Sequence, residues 1–195
     1  MHDDAFLFRE LLVYEHCYIG FSGGLDSTAL LFACAEFLSQ QADTAIPSLT
    51  AIHINHQIDS ASDKWQAHCE AFCARLGIAL ITQKITVEAA NKGLEAGARE
   101  GRYKAFEELI SSADSHSSVL LLGHHGDDQA ETLLLRLMRG SGLRGAAGIP
   151  RSRSLGDSGI DLLRPLLTQP KSKLQQYVIE HDLEYLDDPS NQNLR

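Results

Sequence analysis

A short string near the start of the chain combines small and polar residues in a pattern that suits phosphate binding. Ser22-Gly23-Gly24-Leu25-Asp26-Ser27 follows the apolar run Tyr18 to Phe21 and precedes a helical pattern that starts near Thr28. The two glycines let backbone N–H groups approach an anion, and the hydroxyls of Ser22 and Ser27 and the positive helix end offer further donors. The string therefore predicts a phosphate-binding loop.

Asp26 is the carboxylate of this string, and two interpretations of it stay open. A carboxylate beside phosphate groups is repulsive unless it holds a cation, so we predict that Asp26 contacts Mg²⁺ or an amine. The structural alternative is a tight strand-to-helix turn in which Asp26 caps the helix. The complete S-G-G-x-D-S string between a strand and a helix favours the phosphate loop, although no lysine of the Walker type accompanies it.

A second group of polar residues follows the later apolar run 119–123. Its titratable members are His124, His125, Asp127, Asp128 and Glu131. Ligands of open parallel sheets bind outside the carboxyl ends of strands, so we expect this group and residues 22–27 to face one crevice. A metal site that also uses His53 and His56 is an alternative. So is a structural role, with Asp127 as a helix cap and Glu131 as a first-turn acid.

The elements that must position these groups alternate regularly along the chain. Apolar runs at 17–21, 49–54, 79–85 and 119–122 are each followed by a helical pattern, at 27–40, 61–76, 94–111 and 127–139. Short apolar strands that alternate with amphipathic helices are typical of a parallel sheet covered on both faces. We therefore predict an α/β fold with a doubly wound, mostly parallel sheet.

The remainder of the chain is less regular. Residues 140–159 are rich in glycine and serine and lack periodicity, which predicts a long flexible connection. A further helix is expected at about Lys171 to His181. We interpret residues 1–195 as one domain, with a core at about 15–140, a basic connection at 140–160 and a closing helical segment at 160–195.

Composition places the chain among globular proteins that carry no membrane span. It has 195 residues, 44% of them hydrophobic, and its longest apolar run, Ala29 to Ala35, is far shorter than the roughly 18 residues that a span needs. The start, Met1-His2-Asp3-Asp4, is acidic where a signal peptide is basic. The four cysteines form no C-x-x-C pair. These features predict a cytoplasmic protein with reduced thiols.

Charge is distributed unevenly. The net charge is −9, yet residues 133–174 hold eight basic and two acidic residues, a local charge of +6 against −15 for the remainder. This segment is interpreted either as a face for phosphates or as ordinary solvated side chains. Arg99 and Arg102 share one face of a predicted helix, which suits phosphate binding, and ion pairs with Glu95 or Glu100 are the plain alternative.

Several motifs resemble those of a known family. Residues 22–27 resemble the pyrophosphate loop of the N-type ATP pyrophosphatases, which cleave ATP into AMP and pyrophosphate. Further stretches narrow the resemblance to the tRNA(Ile)-lysidine synthetase family: 53–56 with Asp63, 95–103, 124–132, 143–145, 162–166 and 188–191. They span nearly the whole chain in family order. The resemblance implies a Rossmann-like PP-loop ATPase fold, similar to the adenine nucleotide alpha hydrolases.

The resemblance also implies a reaction and its residues. ATP with Mg²⁺ would adenylylate the C2 oxygen of the wobble cytidine in tRNA(Ile) with a CAU anticodon, and L-lysine would displace AMP to give lysidine, which changes codon reading from AUG to AUA. Residues 22–27 would hold ATP, and Asp26 would also hold the metal. His124 and Asp128, with Asp26 nearby, would hold lysine, and Arg102 would contact ATP or the tRNA.

Two other functions remain open. A tRNA thiolase uses the same loop but generally needs reactive cysteine pairs, whereas Cys69 and Cys73 fall four apart within a helix pattern. A nucleotide sensor would keep the loop without needing Asp128. Similar family members continue past the position of Arg195 into tRNA-binding domains. We therefore expect this chain alone to bind ATP and to modify tRNA poorly, and we leave a homodimer open.

Overall fold

A computed structural model describes residues 8–42, 45–57, 62–86, 94–113, 117–138, 140 and 147–187. This part of the chain contains the strands β1 His16–Gly20, β2 Ser48–Asn55, β3 Ala79–Lys84, β4 Ser118–Leu121, β5 Ser152–Leu155 and β6 Ile160–Leu163. Its α-helices are α1 Leu25–Ser39, α2 Ser62–Leu76, α3 Leu94–Ser112, α4 Gly126–Met138 and α5 Lys171–Glu180. Short 3₁₀ helices lie at Arg9–Val13 and Pro165–Thr168.

The strands form one six-stranded sheet in the order β3-β2-β1-β4-β6-β5. In this order, the neighbouring strands β3, β2, β1, β4 and β6 are all parallel. The edge strand β5 pairs antiparallel with β6. The chain winds from β1 outward through β2 to β3, and then returns to the other side of β1 with β4. The predicted α/β fold with a mostly parallel sheet is confirmed.

Two hydrophobic cores lie on opposite faces of the sheet because strand side chains alternate in direction. Cys17 and Ile19 of β1 belong to the core that α1, α2 and α5 cover. Tyr18, between them in the sequence, belongs to the core that α3 covers with Phe106 and Ile110. Both faces of the central strands are therefore buried, which is why β1 and β4 consist largely of consecutive apolar residues.

The order of the strands creates a switch point between β1 and β4. The connection after β1 leads to β2, on the side of β1 away from β4. The connection after β4 leads to β5 and β6, on the side of β4 away from β1. Helices that diverge in this way leave a crevice outside the carboxyl ends of the two strands, which is where open α/β sheets bind ligands. Residues 22–27 follow β1, and residues 124–132 follow β4.

The expectation of a flexible connection at 140–159 and a closing helical segment at 160–195 is wrong in part. Ser152–Leu155 forms β5 and Ile160–Leu163 forms β6, so the sheet extends past the predicted core. β5 is a short edge strand in which Leu155 is the one buried residue, and its polar residues hide it from an apolar pattern. Residues 141–146 and 188–195, which include two of the family motifs, lie outside the described residues.

Two further expectations concern cysteines and membranes. All four cysteines are buried free thiols, as predicted. Burial raises the pKa of the Cys73 thiol to about 11, so it is protonated and unreactive at neutral pH. Across the described ranges, no helix has both the length and the apolar character that crossing a membrane requires.

Candidate nucleotide site

The loop between β1 and α1 leads into the N-terminus of α1 and is stabilised by hydrogen bonds among its own residues. Gly24 is the N-cap of α1, and no side chain caps the helix. The helix therefore begins at Leu25, three residues earlier than expected, and Asp26 lies in its first turn. The alternative in which Asp26 serves as the N-cap is wrong. The carboxylate of Asp26 is consequently not used to cap the helix.

The two serine hydroxyls hold the loop in shape. Ser27 Oγ donates to the Gly24 carbonyl at 3.0 Å and accepts from the Ser22 amide at 3.2 Å. Ser22 Oγ lies 3.0 Å from Ser27 Oγ. Because these hydroxyls bond within the loop, the donors that face outward are the first-turn amides of α1, which have no intrahelical acceptor. These amides and the helix dipole make an anion site.

Gly23 shapes the loop from behind. Its φ of +85° lies in the left-handed region that favours glycine, and a Cβ there would sit 3.0 Å from Cys69 Sγ. Its carbonyl accepts a hydrogen bond of 2.9 Å from the amide of Leu186, which joins the end of the described chain to the loop. Gly23 is therefore a turn residue that touches the protein rather than the open crevice.

A cavity of about 960 Å³ opens at the carboxyl ends of β1, β2 and β4. Eight of the nine residues predicted to form the site line it: Ser22, Gly24, Leu25, Asp26, Ser27, Arg102, His124 and Asp128. Gly23 is the exception. The expectation that the loop after β1 and the polar group after β4 face one crevice is therefore met by the geometry.

His125 connects the two acidic residues of the cavity. Its Nε2 lies 3.5 Å from Asp26 Oδ1, and its Nδ1 lies 3.7 Å from Asp128 Oδ2. Asp128 Oδ2 also accepts from the His125 amide at 2.9 Å. Burial opposes the charged imidazole, but the carboxylates of Asp26 and Asp128 outweigh it and raise the pKa of His125. The buried Asp26 Oδ1 has no hydrogen bond among the described residues.

His124 lies in different surroundings, although the sequence grouped it with the acids. Its Nδ1 accepts a hydrogen bond of 3.3 Å from Nε of Arg164. Burial and the nearby charge of Arg164 lower the pKa of His124 to about 3, so the ring is neutral. Since Nδ1 accepts, the proton of the neutral ring is on Nε2. His124 therefore lines the cavity as a neutral ring whose donor is Nε2, and His125 is the histidine that lies near Asp26 and Asp128.

Arg102 brings a positive charge to the same cavity from α3. Burial lowers the pKa of its guanidinium, and no carboxylate of the described residues lies within 4 Å of it. Arg99 does not line the cavity, and its Nη2 lies 3.5 Å from the Tyr103 hydroxyl. Glu100 makes no ion pair with either arginine, and the side chain of Glu95 lies outside the described residues.

The remaining predicted positions act structurally. His53 lines the cavity, but its Nδ1 lies 2.9 Å from the Phe21 carbonyl and 3.3 Å from Cys69 Sγ. Asp127 lies in the first turn of α4 and is not its cap. Among the described residues, no three His, Cys, Asp or Glu side chains converge as a metal site. Within the described ranges, His53 and His56 are thus not joined by the further ligands of a zinc site.

Some cavity residues carried no signal in the sequence. Lys171, at the start of α5, and Tyr185, Leu186 and Asp187, after α5, also line the cavity. Lys171 follows Pro170 in an otherwise ordinary helix start, and it is distant in sequence from residues 22–27. A periodic pattern cannot reveal such a contact, because it depends on how α5 packs against α1.

Comparison with known proteins extends these observations. Residues 6–195 match the model of the PP-loop domain. The chain is 46% identical over 179 residues to tRNA(Ile)-lysidine synthase of Pseudomonas fluorescens (strain Pf0-1), an alignment that covers 92% of this chain and 38% of that protein. It is 42% identical over 184 residues to the protein of the same name in Legionella pneumophila (strain Paris), which covers 93% and 39%. The chain spans about two fifths of the length of these relatives.

Solved structures agree on the fold. The U34-tRNA thiolase NcsA from Methanococcus maripaludis superposes with a TM-score of 0.78 at 18% identity, over 96% of this chain and 66% of that one. The phosphoadenylyl-sulfate reductase from Candida auris superposes with a TM-score of 0.55 at 14% identity, over 93% and 81%. At such low identity these likenesses establish the architecture alone. Since the model of the PP-loop domain matches residues 6–195, nearly the whole chain, the chain belongs to the PP-loop domain family.

Proposed function

We propose that this chain is the part of a lysine ligase that uses ATP to activate C2 of the wobble cytidine in tRNA(Ile). The observation that carries the proposal is the shared cavity, in which a phosphate-binding loop faces two carboxylates and a neutral histidine. The identity of 46% to a tRNA(Ile)-lysidine synthase supports the same activity. The residues of the cavity supply three kinds of contact, to phosphate, to a metal ion and to an amine.

ATP would bind with its phosphates at the N-terminus of α1. The first-turn amides donate to phosphate oxygens, and Arg102 and Lys171 add positive charge from other walls of the cavity. The C2 oxygen of the cytidine would attack the α-phosphorus, and pyrophosphate would leave. Positive charge at the loop stabilises the negative charge that builds up on the departing pyrophosphate.

Mg²⁺ fits Asp26. Asp26 lines the cavity beside the proposed phosphate site, and its Oδ1, which has no hydrogen bond in the described part of the chain, has His125 Nε2 as a neighbour at 3.5 Å. Mg²⁺ is commonly held by one or two carboxylates together with phosphate oxygens and water. When bound there, the ion would neutralise phosphate charge. Asp26 is therefore proposed as its protein ligand.

Lysine would bind on the Asp128 side of the cavity. The carboxylates of Asp128 and Asp26 attract an ammonium group, and the His124 Nε2 proton suits an acceptor such as a carboxylate or carbonyl oxygen. The ε-amine, after losing a proton, would attack C2 of the adenylylated cytidine, and AMP would leave with the C2 oxygen. His125, held between Asp26 and Asp128, would fix the positions of both carboxylates.

Thiolation is the nearest alternative, and the thiols disfavour it. Neither Cys69 nor Cys73 lines the cavity, and burial raises the pKa of both. Cys69 Sγ instead lies 3.3 Å from His53 Nδ1 within the core. A sulfur-transfer step needs a thiolate or a cluster ligand at the reacting atom. No described cysteine is in that position.

The proposal is tested by measuring AMP and pyrophosphate release with tRNA(Ile), ATP and lysine. Lysine-dependent AMP release is expected from the wild type, and Asp128→Asn should lower kcat/KM for lysine by at least about tenfold through loss of one charge contact. Asparagine keeps an oxygen that can accept from the His125 amide, so the local fold is retained. ATP affinity should stay unchanged.

Asp127→Asn is the matched control. Asp127 is exposed, adjacent in sequence and absent from the cavity, so the same change of charge should leave the kinetics with lysine unaltered. Equal losses of kcat/KM for lysine in Asp128→Asn and Asp127→Asn would contradict the assignment of Asp128 to the lysine site. ATP binding without lysine-dependent AMP release, in a chain extended to the length of its relatives, would favour a nucleotide sensor over the ligase.

A further inference from the structure

Four arginines gather around Tyr103 and His124, and none of them forms an ion pair with a carboxylate in the described part of the chain. They are Arg99 and Arg102 of α3, Arg153 of β5 and Arg164 after β6. Among the described residues, no carboxylate oxygen lies within 4 Å of any of the four. The chain as a whole carries a net charge of −9, so this concentration of positive charge is contrary to the general composition.

Arg164 is the buried anchor of the group. It is 1% exposed, and it donates to the Pro150 carbonyl at 2.8 Å, to His124 Nδ1 at 3.3 Å and to the Tyr103 hydroxyl at 3.4 Å. All three acceptors are neutral, so within the described structure the positive charge is solvated by dipoles and not by a counter-ion. Through His124 and Tyr103, Arg164 connects the wall of the cavity to the outer surface of α3.

Arg99 and Arg153 are the exposed members. The guanidinium carbon of Arg99 lies 5.4 Å from the centre of the Tyr103 ring, and that of Arg153 lies 4.9 Å from it. Both side chains are exposed, and neither lines the cavity. Burial would raise the pKa of Tyr103, but the charges of Arg99 and Arg164 outweigh burial and lower this pKa. We call Arg99, Tyr103 and Arg153 the arginine–tyrosine patch.

We propose that the arginine–tyrosine patch is a docking site for the phosphate backbone of RNA, and that it leads the RNA strand toward the cavity. Paired guanidinium groups beside an aromatic ring are suited to phosphate oxygens and to an unstacked base. The patch is continuous with the cavity through Arg102, the neighbour of Tyr103 in α3, and through the Arg164–His124 hydrogen bond. This inference rests on the proposed function, in which a nucleotide of the RNA must reach the ATP site.

The test compares RNA binding by the wild type and by Arg99→Gln/Arg153→Gln. The probe is an unmodified tRNA(Ile) transcript, titrated without ATP or lysine at several salt concentrations between 50 and 200 mM. Each lost phosphate contact should reduce the slope of log affinity against log salt by about 0.7 to 0.9. Losing two contacts should therefore make the affinity about tenfold less sensitive to salt across this range.

Arg9→Gln/Arg75→Gln is the control with an equal change of charge. Arg75 also packs on an aromatic ring, with its guanidinium carbon 5.2 Å from the centre of Phe72, and Arg9 is exposed at the start of a 3₁₀ helix. The control should keep the slope of the wild type. Equal slopes for the two double variants would overturn the proposal, and so would absence of RNA binding by the wild type.

Two further measurements distinguish RNA from ATP and from an acidic protein as the ligand of the patch. A fall in ATP affinity in Arg99→Gln/Arg153→Gln, with RNA binding unchanged, would assign the patch to ATP phosphates and overturn the proposal. Displacement of the RNA by polyglutamate of equal charge concentration would point to an acidic protein partner and would overturn it too. Because no ATP or lysine is present in the RNA titration, a change of slope supports the patch even where lysine-dependent AMP release fails.

Discussion

Gly123, which follows β4, lies against the backbone carbonyl of Asp26 in the first turn of α1. A Cβ built on Gly123 would fall 2.9 Å from the Asp26 oxygen and 3.0 Å from its carbonyl carbon. Real Cβ atoms do not approach backbone this closely, so the two loops meet only because residue 123 has no side chain. The contact fixes the distance between the phosphate loop and the polar group after β4.

Gly123→Ala should therefore displace the start of α1. The obstacle is backbone, which cannot rotate away as a side chain would, so we expect a loss of about 1–3 kcal/mol in the free energy of unfolding, as for other overpacked sites. ATP affinity should fall in parallel, because the first-turn amides move. Urea unfolding and ATP titration measure the two effects.

Gly101→Ala is the comparison for this substitution. Gly101 lies within α3, and a Cβ there would meet a single flexible atom, Ile85 Cδ1, at 3.4 Å. Alanine is the better helix former by about 1 kcal/mol, so this variant should be at least as stable as the wild type. If Gly123→Ala behaved like Gly101→Ala, the close contact with Asp26 would not determine the geometry of the loop.

Lys171 should supply the positive charge that the phosphate loop lacks. Residues 22–27 contain no lysine, and Lys171 lines the same cavity from the first turn of α5. Lys171→Gln should weaken ATP binding by about tenfold, the effect of losing one charged contact to phosphate. ADP and AMP affinities should fall less, because they have fewer phosphates. Titration calorimetry with the three nucleotides measures the order.

Lys173→Gln is the control on the same helix. Lys173 lies two residues further along α5 and does not line the cavity. Equal loss of ATP affinity in Lys171→Gln and Lys173→Gln would mean that general charge, and not the position of Lys171, is responsible. Equal loss for ATP and AMP in Lys171→Gln would place the lysine away from the terminal phosphates.

Much of the fold was predictable because burial on both sheet faces makes a strand uniformly apolar. β1 and β4 are of this kind, and so the loops that follow them could be placed at one sheet edge. β5 was missed because three of its four residues are exposed, as suits an edge strand. A pattern of apolar residues reveals a strand only where the side chains of that strand are buried in the core.

The same reasoning explains which parts of the site the sequence missed. His124 and His125 are adjacent in a strand-to-helix turn, and only the path of the backbone decides which ring meets Asp26 and Asp128. Lys171 reaches the site through the packing of α5, far from the motifs in sequence. Arg164 lies in the motif 162–166, but its contact with His124 depends on the packing of β6 beside β4. Local spacing identifies groups within one turn, whereas contacts between distant segments depend on tertiary packing.

His124 should make stability dependent on pH. Its pKa is about 3 in the folded protein, where burial and Arg164 disfavour the charged ring, and about 6.5 in an unfolded chain. Between these values the unfolded chain binds a proton that the folded protein excludes. The contribution of His124 to the free energy of unfolding is therefore fully present above about pH 6.5. As the pH falls toward 3, this contribution decreases by at most about 1.4 kcal/mol per pH unit.

His124→Asn should make this decrease shallower. Asparagine does not titrate, and its Oδ1 can accept the hydrogen bond from Arg164 Nε that His124 Nδ1 accepts. His53 and His56, whose pKa values burial also lowers, keep their part of the decrease in both proteins. The raised pKa of His125 acts in the opposite direction, since its contribution is present at low pH and is lost as the pH rises. Urea unfolding between pH 4.5 and 8 gives the difference between the two slopes.

Arg164→Gln should also change the pH dependence of the free energy of unfolding, because it removes a charge that lowers the pKa of His124. Without the guanidinium charge, the pKa of His124 should rise toward 6.5, and ¹⁵N NMR of the imidazole should show Nδ1 no longer fixed as the acceptor. The acid part of the stability profile should then become shallower, as in His124→Asn, even though the loss of three buried hydrogen bonds lowers stability at every pH. An unchanged pKa of His124 in Arg164→Gln, or equal slopes for wild type and His124→Asn, would mean that Arg164 does not hold His124 neutral.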